Sequence, residues 1–265
     1  MLTQSNGAGP ATLKEVLNTP APIRETPTYQ PVSNKELLDM LHRVAKEQSL
    51  VLKEPQFGLA RYGQRMFGVY KVEGQEHFDG RVKLMLGVRN SGDGQIAAGV
   101  CFGSEVFVCS NLVFTGYANE SDGIVGRVSH KHTINVMDTL YERLSSALNQ
   151  FPVFRDFQEN FYGRLTDRRI SDNRAFATIV KAVMDDVIPN KDVIRLANIW
   201  LSQKEEPKET VERKDWHPEF QSRNAYSLFN AFTHLHKGYQ KQNPVEAVKR
   251  SIRLTQLFHH EFSRN

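Results

Sequence analysis

The sequence is poor in cysteine and has no long apolar run. Two cysteines in 265 residues are too few for the disulfide framework of a small secreted domain. No stretch approaches the roughly 18 apolar residues of a membrane-spanning helix, and the first residues lack the apolar segment of a signal peptide. We therefore expect a soluble protein with no membrane partner, in a reducing compartment that is by default the cytosol.

Catalytic motifs are also missing. The chain contains no nucleophile elbow, no phosphate-binding glycine loop, no H-E-x-x-H sequence and no paired-carboxylate motif. Cys109 or Ser110 could form a triad with His132 and Asp93, but nothing in their spacing requires one. The sequence leaves open whether the protein is an enzyme, and it favours a protein without catalytic activity. No catalytic residue is assigned and no cofactor is expected.

Metal ligands are present only as a weak pattern. His130 and His132 would face the same side of an extended segment, and Cys109 or His234 could add a third ligand. No C-x-x-C or H-x-x-x-H pair accompanies them, and Cys109 is equally suited to be a small buried hydrophobe. We therefore expect no metal site, and chelators should leave folding unchanged.

An alternating pattern of residues begins the clearest structural prediction. Apolar residues occupy the even positions from Val82 to Val88, while Arg81, Lys83 and Arg89 would point to the opposite side. This period of two is typical of a strand with one buried face. The other face would be wet or bound to a ligand.

Two hairpin turns are predicted after this strand. The N-S-G-D-G loop at 90–94 favours a hairpin and a second strand at 95–102. Residues 103–104, Gly-Ser, would form a two-residue turn before a third strand at 105–109. In that register the two cysteines do not face each other, so we predict that no disulfide joins them.

Helical patterns surround the strands. Ser33 and Glu36 form a capping box for one helix, and Thr133 would cap a second helix over residues 134–150. Further strands are expected at residues 50–52 and 65–72. The predicted fold class is α+β, an antiparallel β-meander of about four or five strands that is packed by a long helix and followed by a helical second half.

The same patterns divide the chain into five parts. The proline-rich residues 1–28 are expected to be a flexible or loosely docked arm. The β-meander and its helix form a core at 29–151, followed by a helical segment at 152–203. A charged connector at 204–217 leads to a C-terminal helical pair at 218–265, which would pack on the core. We expect one compact unit.

Several polar side chains could bind nucleic acid, and the net charge of +4 is compatible with an acidic partner. The residues assigned to this role are Arg89, Asn90, Ser91, Asn111, Arg127, His130, Lys131, His132, Asn230, His234, Lys237 and Lys241. Candidate stacking residues are Phe107, Phe114 and Tyr117. The alternative for Asn90, Asp93 and Asn111 is turn formation, and Arg89 and Lys131 could simply be solvated.

A polar stripe on a late helix could extend this set. The helix predicted at 224–239 has an apolar face, and its other face carries Asn230, His234, Lys237 and Lys241. If the apolar face packs on the core, the stripe would lie beside Arg89, Asn111 and His132. We therefore expect these residues to complete one basic groove.

Five short motifs occur in a fixed order along the chain. They are T-Y-Q-P-V-S-N at 28–34, V-R-N-S-G-D-G at 88–94, V-F-V-C-S-N-L at 106–112, H-K-H-T at 130–133 and L-F-N-A-F-T-H at 228–234. Over roughly residues 28 to 258 the sequence resembles the phage- and plasmid-borne family catalogued as domain of unknown function 932. The family pattern has a histidine where this chain has Gly92, which argues against a catalytic or metal role for that loop.

The resemblance leads to two functional hypotheses. It implies a phage or plasmid protein in the cytoplasm of a bacterial host, and the order of strands and helix is similar to the core of phage single-strand annealing proteins. The first hypothesis is a homo-oligomer that binds single-stranded DNA and could anneal strands. The alternative is an accessory factor whose helical half binds a protein and inhibits a host defence or nuclease complex. Strand binding needs a continuous basic track, whereas an inhibitor needs an exposed apolar or charged patch.

Overall fold

A computed structural model describes most of the chain. The described residues are 9–20, 26–77, 82–106, 111–113, 117–119, 123–125, 127–133, 135–202, 222–242 and 244–262. The predicted connector at 204–217 lies outside them. Within these ranges no helix is long and apolar enough to cross a membrane.

Nine strands and eight helices are described. The strands are β1 (Gly9–Ala11), β2 (Leu52–Ala60), β3 (Arg65–His77), β4 (Val82–Ser91), β5 (Ala98–Val106), β6 (Asn111–Val113), β7 (Tyr117–Asn119), β8 (Gly123–Val125) and β9 (Arg127–His130). The helices are α1 (Leu13–Leu17), α2 (Asn34–Glu47), α3 (Val136–Asn149), α4 (Phe151–Asp167), α5 (Asp172–Met184), α6 (Val193–Ser202), α7 (Ala225–Gln242) and α8 (Pro244–Phe262), with a 3-10 turn at Asn190–Asp192 before α6.

Strands β1 to β5 pair in sequence order and every pair is antiparallel. Strands β6 and β9 both pair with β5, but at opposite ends of it, because Val106 pairs with Asn111 and Ala98 pairs with His130. Strands β7 and β8 form a separate two-stranded sheet. The predicted α+β class, with a β-meander before a helical second half, is confirmed.

The predicted turn at residues 103–104 is wrong. Strand β5 runs through both positions, where Gly103 pairs with Met85 and Ser104 pairs with Leu84. Ser104 is fully buried, and its hydroxyl lies 2.7 Å from the Tyr162 hydroxyl. The Gly-Ser pair at 103–104 therefore lies within a buried strand rather than in a turn. Strand β5 joins the second predicted strand to the start of the third. Because Cys109 lies outside the described residues, the absence of a disulfide stays a prediction.

The beginning of the chain is docked on the sheet where it is described. Strand β1 pairs with the residues Phe57 to Leu59 of β2. Helix α1 follows at once and begins with a capping box, in which the Glu15 backbone N–H donates to the Thr12 hydroxyl and the Thr12 N–H donates to the Glu15 carboxylate. Val16 of this helix is fully buried. The T-x-x-E pattern was the available signal against a flexible arm.

Two hydrophobic cores are joined by one helix. Helices α2 and α3 cover one face of the sheet and form the first core with it, and α5 to α8 surround the second. Helix α4 enters both cores, since Phe154 packs on Phe102 of the sheet and Phe161 packs on Phe229 of α7. Fully burying one such side chain is worth about 1.5–3 kcal/mol, so α4 ties the two halves together.

Candidate nucleic-acid interface

Three of the sequence motifs meet at one end of the sheet. Strand β4 ends there at Ser91, and β9 ends beside it, since Arg89 pairs with Gly99 and His130 pairs with Ala98. The segment 29–33, which we call the strap, crosses the same end, because Tyr29 forms a β-bridge with Thr133. The motifs at 28–34, 88–94 and 130–133 are therefore neighbours in space.

Two buried side chains hold the strap. The Asn90 side-chain amide donates to the Val32 carbonyl at 2.8 Å and to the Asn34 Oδ1 at 3.0 Å. The Val32 backbone N–H donates in turn to the His132 Nδ1 at 3.2 Å. Because Nδ1 accepts this bond, the neutral imidazole carries its proton on Nε2. Both side chains have a role in holding the fold, which no pattern in the sequence indicates.

The loop after β4 is organised by Asp93. Its carboxylate accepts hydrogen bonds from the Ser91 hydroxyl, from the Gln95 backbone N–H at 3.1 Å and from the Arg65 Nε at 2.7 Å. Burial opposes ionisation of Asp93, but these hydrogen bonds together hold its pKa below the ordinary value. Tyr29 closes the loop by donating its hydroxyl to the Gly92 carbonyl at 2.9 Å. Asp93 therefore takes part in turn formation, which is one of its two predicted roles.

Four of the residues assigned to nucleic-acid binding are buried. They are Asn90, Ser91, His132 and Asn230, of which Asn230 donates its amide to the Tyr226 carbonyl of its own helix. A polymer in solvent does not reach them in this structure. Helix α7 is buried from Ala225 to Thr233, so the expectation that Asn230 belongs to an open polar stripe is wrong. His234 of the stripe is half-buried.

The predicted groove does not form. Asn111 lies on β6 and His132 follows β9, and these strands pair with the two ends of the nine-residue strand β5. At about 3.4 Å per residue those ends are about 27 Å apart. Helix α7 contacts β6 and therefore approaches the end away from His132. The prediction of one cleft that contains Arg89, Asn111 and His132 is therefore wrong.

Other assigned side chains lie outside the described part of the structure. This applies to the side chains of Asn111, Arg127, His130, Lys237 and Lys241, whose backbones are placed on β6, β9 and α7. It also applies to the stacking candidates Phe107, Phe114 and Tyr117. Among the described residues no three His, Cys, Asp or Glu side chains form a group that could hold a metal. Cys109 is not among those residues, so its role as a ligand is untested.

Cations gather on the face of the sheet that α2 and α3 leave uncovered. Even-numbered residues such as Leu84, Leu86 and Val88 enter the first core, so the odd-numbered Lys83 and Arg89 lie on the other face, as the alternation predicts. Arg65 and Lys71 of β3 share this face, since their even-numbered neighbours Met66 and Tyr70 are in the core. All four are half-buried. The sequence analysis missed Arg65 and Lys71 because glycines obscure the alternation in β2 and β3.

The exposed cations nearest to the strap lie at the same end of the sheet. Arg65 begins β3, Arg61 belongs to the β2–β3 hairpin tip, and Lys131 follows β9. Arg61 and Lys131 are exposed. Beside them stands Tyr62, which is fully exposed to solvent. We call Arg61, Arg65, Arg89 and Lys131 the basic sheet end.

One family model matches the chain, and its description is Domain of unknown function (DUF932). The match spans residues 25–257 and so includes the strap, strands β2 to β9 and most of the helical half. No match was found among the curated proteins or among the solved structures. The five motifs all lie inside the matched range. The chain therefore belongs to the DUF932 family.

Proposed function

We propose that the protein binds single-stranded DNA at the basic sheet end. The observation that carries the proposal is that Arg61, Arg65, Arg89 and Lys131 lie at the same end of the sheet, on the β2–β3 hairpin, on β4 and after β9. Proteins that bind single strands combine cations that follow the backbone with aromatic side chains on which bases stack. Lys71 and Lys83 lie further along the same face, where the buried side chains of Val69 and Met85 separate them from the basic sheet end.

The acids near these cations fix their geometry. Asp93 holds the Arg65 guanidinium through the Nε, and a guanidinium has four further N–H donors on its terminal nitrogens. Glu54 pairs with Lys71 further along the face. A phosphate would meet an arginine that is already oriented, so less side-chain entropy is lost on binding.

Two extensions belong to the same proposal. Strand annealing would require two bound strands to meet, and a homo-oligomer would supply a second basic sheet end. Rates of pairing between complementary oligonucleotides and the mass of the protein in solution measure these two properties separately. The setting that we propose is the cytoplasm of a bacterium that carries a phage or plasmid.

A salt titration tests the proposal. The wild type should bind a fluorescent oligo(dT) with a dissociation constant that rises steeply with salt, by about 0.7 logarithmic units per unit of log salt for each phosphate contact. R89A/K131A should weaken binding and lower this slope by about 1.4, since two contacts are lost.

The matched control removes two cations from the helical half. Lys191 and Arg195 are both exposed, on the 3-10 turn and on α6. K191A/R195A changes the net charge by the same amount and should leave the slope close to that of the wild type. Equal losses in both double variants, or no salt-sensitive binding by the wild type, would contradict the proposal.

Protein binding by the helical half is the second candidate function. Phe176, Val180 and Met184 recur at every fourth residue of α5 and are 36%, 56% and 79% exposed. This spacing puts them on one helix face, and exposed apolar stripes mark protein contacts.

A second copy of the chain is the partner tested first. In an antiparallel pair of α5 helices the stripes would cover each other, because Val180 lies midway between Phe176 and Met184. Sedimentation should show a dimer that V180E dissociates. A wild type that stays monomeric, with V180E abolishing capture of a separate protein, would instead favour the accessory-factor hypothesis.

A further inference from the structure

The tip of the β2–β3 hairpin has an unusual backbone. Ala60 pairs with Arg65, so residues 61–64 form the connection. Arg61, Tyr62 and Gly63 follow one another with φ values of +53°, +56° and +85°. All three are left-handed, a region that glycine and asparagine enter readily and that other residues with a Cβ rarely adopt.

The Gln64 N–H donates to the Arg61 carbonyl, so Tyr62 and Gly63 are the two central residues of a β-turn. A tight hairpin turn with positive φ at both central residues favours Asn-Gly, because it matches the twist of the strands. Gly63 meets this preference, whereas Tyr62 and the preceding Arg61 strain the backbone. Residues kept in strained conformations cluster at functional sites when the surrounding structure holds them in place.

The surroundings do hold this tip. The Gln64 N–H donates to the Arg61 carbonyl at 3.1 Å, and the Gly92 N–H donates to the Gln64 carbonyl at 2.7 Å. A Cβ on Gly63 would lie 2.8 Å from the Thr19 Cγ2, so the tip also sits tightly against the residues after α1. The hairpin tip is therefore packed from two sides.

Tyr62 gains nothing from this packing. Its side chain is fully exposed, so the ring contributes no burial to offset the strain of its backbone. The β-turn would be better served by Asn at position 62 before Gly63, and the core would be unchanged. An aromatic ring presented to solvent from a fixed backbone beside Arg61 and Arg65 is instead suited to a ligand that has both a flat face and a negative charge.

We propose that Tyr62 is a stacking platform for a nucleobase and that Arg61 meets a phosphate next to it. This inference rests on the proposed function and assigns it a base-contacting residue. The ring stands at the end of β3 where Arg65 begins the basic sheet end. A strand that follows those cations would bring its bases past the hairpin tip.

Restoring the residue that the turn prefers gives the first test. Y62N, which creates Asn-Gly at positions 62–63, should raise the Tm because it relieves the strained backbone, while it lowers the affinity for oligo(dT). A gain of stability together with a loss of binding is not produced by a residue that merely supports the fold. An unchanged or lower Tm would overturn the strain argument.

The second test separates the base from the phosphate. Y62A should weaken oligo(dT) binding by about 5- to 150-fold, as expected for one lost stacking contact, and should hardly change binding of an abasic oligonucleotide of the same length. Y62F and Y62W should retain binding, and Y62W should change its fluorescence only with the oligonucleotide that carries bases. I194A, which truncates a 75% exposed apolar side chain on α6, is the control.

The outcomes distinguish this inference from the proposed function. If the wild type binds both oligonucleotides with a salt slope and Y62A matches it, stacking is overturned and the basic sheet end stands. If Y62A weakens binding to both oligonucleotides equally, the ring does not contact a base and the inference is also overturned. If the wild type binds neither, both proposals fail.

Discussion

Two buried asparagines of the sequence motifs, one in the sheet half and one in the helical half, use their side chains differently. Asn90 is fully buried and its amide donates to Val32 and Asn34, which are more than 50 positions away along the chain. Asn230 is 2% exposed and donates to Tyr226, one turn back in its own helix. Asn90 therefore connects remote segments, whereas the contact of Asn230 is local.

The largest expected effect comes from truncating these two residues. N90A leaves the Val32 carbonyl and the Asn34 Oδ1 without this donor inside the protein, at about 1–3 kcal/mol for each buried acceptor, so we expect a loss of about 3–5 kcal/mol in the free energy of unfolding. In N230A the Tyr226 carbonyl loses the Asn230 amide but keeps its partners within the helix, so the free energy of unfolding should fall by only about 1–2 kcal/mol. Urea unfolding of both variants measures the difference.

Equal losses in N90A and N230A would contradict this comparison. They would mean that the strap is held by its apolar contacts rather than by Asn90. The m-value is the internal check, since an unchanged slope with urea shows that the same surface is exposed on unfolding in each variant.

Long-range contacts of this kind limit what the sequence predicts. The capping box of Ser33 and Glu36 is confirmed, because both of its hydrogen bonds join residues three positions apart. Ser104 was assigned to a turn, since its partner Tyr162 lies 58 positions away. Local chemistry is readable from neighbouring residues, whereas a polar residue whose partner comes from another element looks the same as a turn residue.

The residues of the candidate site also divide into those that the sequence predicts and those that it does not. Arg89 and Lys131 were predicted to bind nucleic acid, and the alternation in one strand placed Arg89 on the same face as Lys83. Arg61 and Tyr62 were missed because their signal is a backbone conformation. The only hint in the sequence is a glycine at 63 between two predicted strands, which marks a turn without showing which residues take positive φ.

The next largest effect is a loss of folding stability at acidic pH. Burial lowers the pKa of His236 to about 4, and the nearby Arg250 acts in the same direction. The folded pKa is below the unfolded value of about 6.5, so the unfolded state binds the proton more tightly. This stability is fully present above pH 6.5 and is lost as the pH falls from 6.5 toward 4. For this one group the loss is about 2 kcal/mol at pH 5 and about 3 kcal/mol at pH 4.

His236→Leu tests that assignment. The variant should flatten the fall in unfolding free energy between pH 7 and pH 4.5, whatever its stability at pH 7. The control in the sheet half is His42→Gln, because burial also lowers the pKa of His42, against the charge of Asp39, but this residue is exposed to solvent. If H42Q flattens the pH profile more than H236L does, the main acid-sensitive group lies in the sheet half, and the assignment to His236 is contradicted.

A smaller effect is expected at the contact between the halves. Y162F removes the hydroxyl that meets Ser104 at 2.7 Å and should cost about 1–2 kcal/mol, because the buried Ser104 hydroxyl loses this partner. S104A/Y162F removes both hydroxyl groups and should cost less than the sum of the single variants. Additive losses would show that the two hydroxyl groups do not interact.

The Y162F variant also sharpens the comparison of the two halves. Because α4 enters both cores, the halves should unfold in one transition in the wild type. Fluorescence of the buried Trp200, measured with Trp216 replaced by phenylalanine in every variant, reports the helical half, and far-UV circular dichroism reports both halves. The two curves should coincide in the wild type and in Y162F, and their separation would show that α4 does not couple the cores.

The most direct test of the central claim locates the ligand by amide hydrogen exchange. With saturating oligo(dT), we predict slower exchange at residues 60–66 and 88–95, which form the hairpin tip and the end of β4, and unchanged exchange at residues 172–184 of α5. Protection confined to α5, or an oligonucleotide that protects no part of the sheet end, would contradict the claim that the protein binds single strands there.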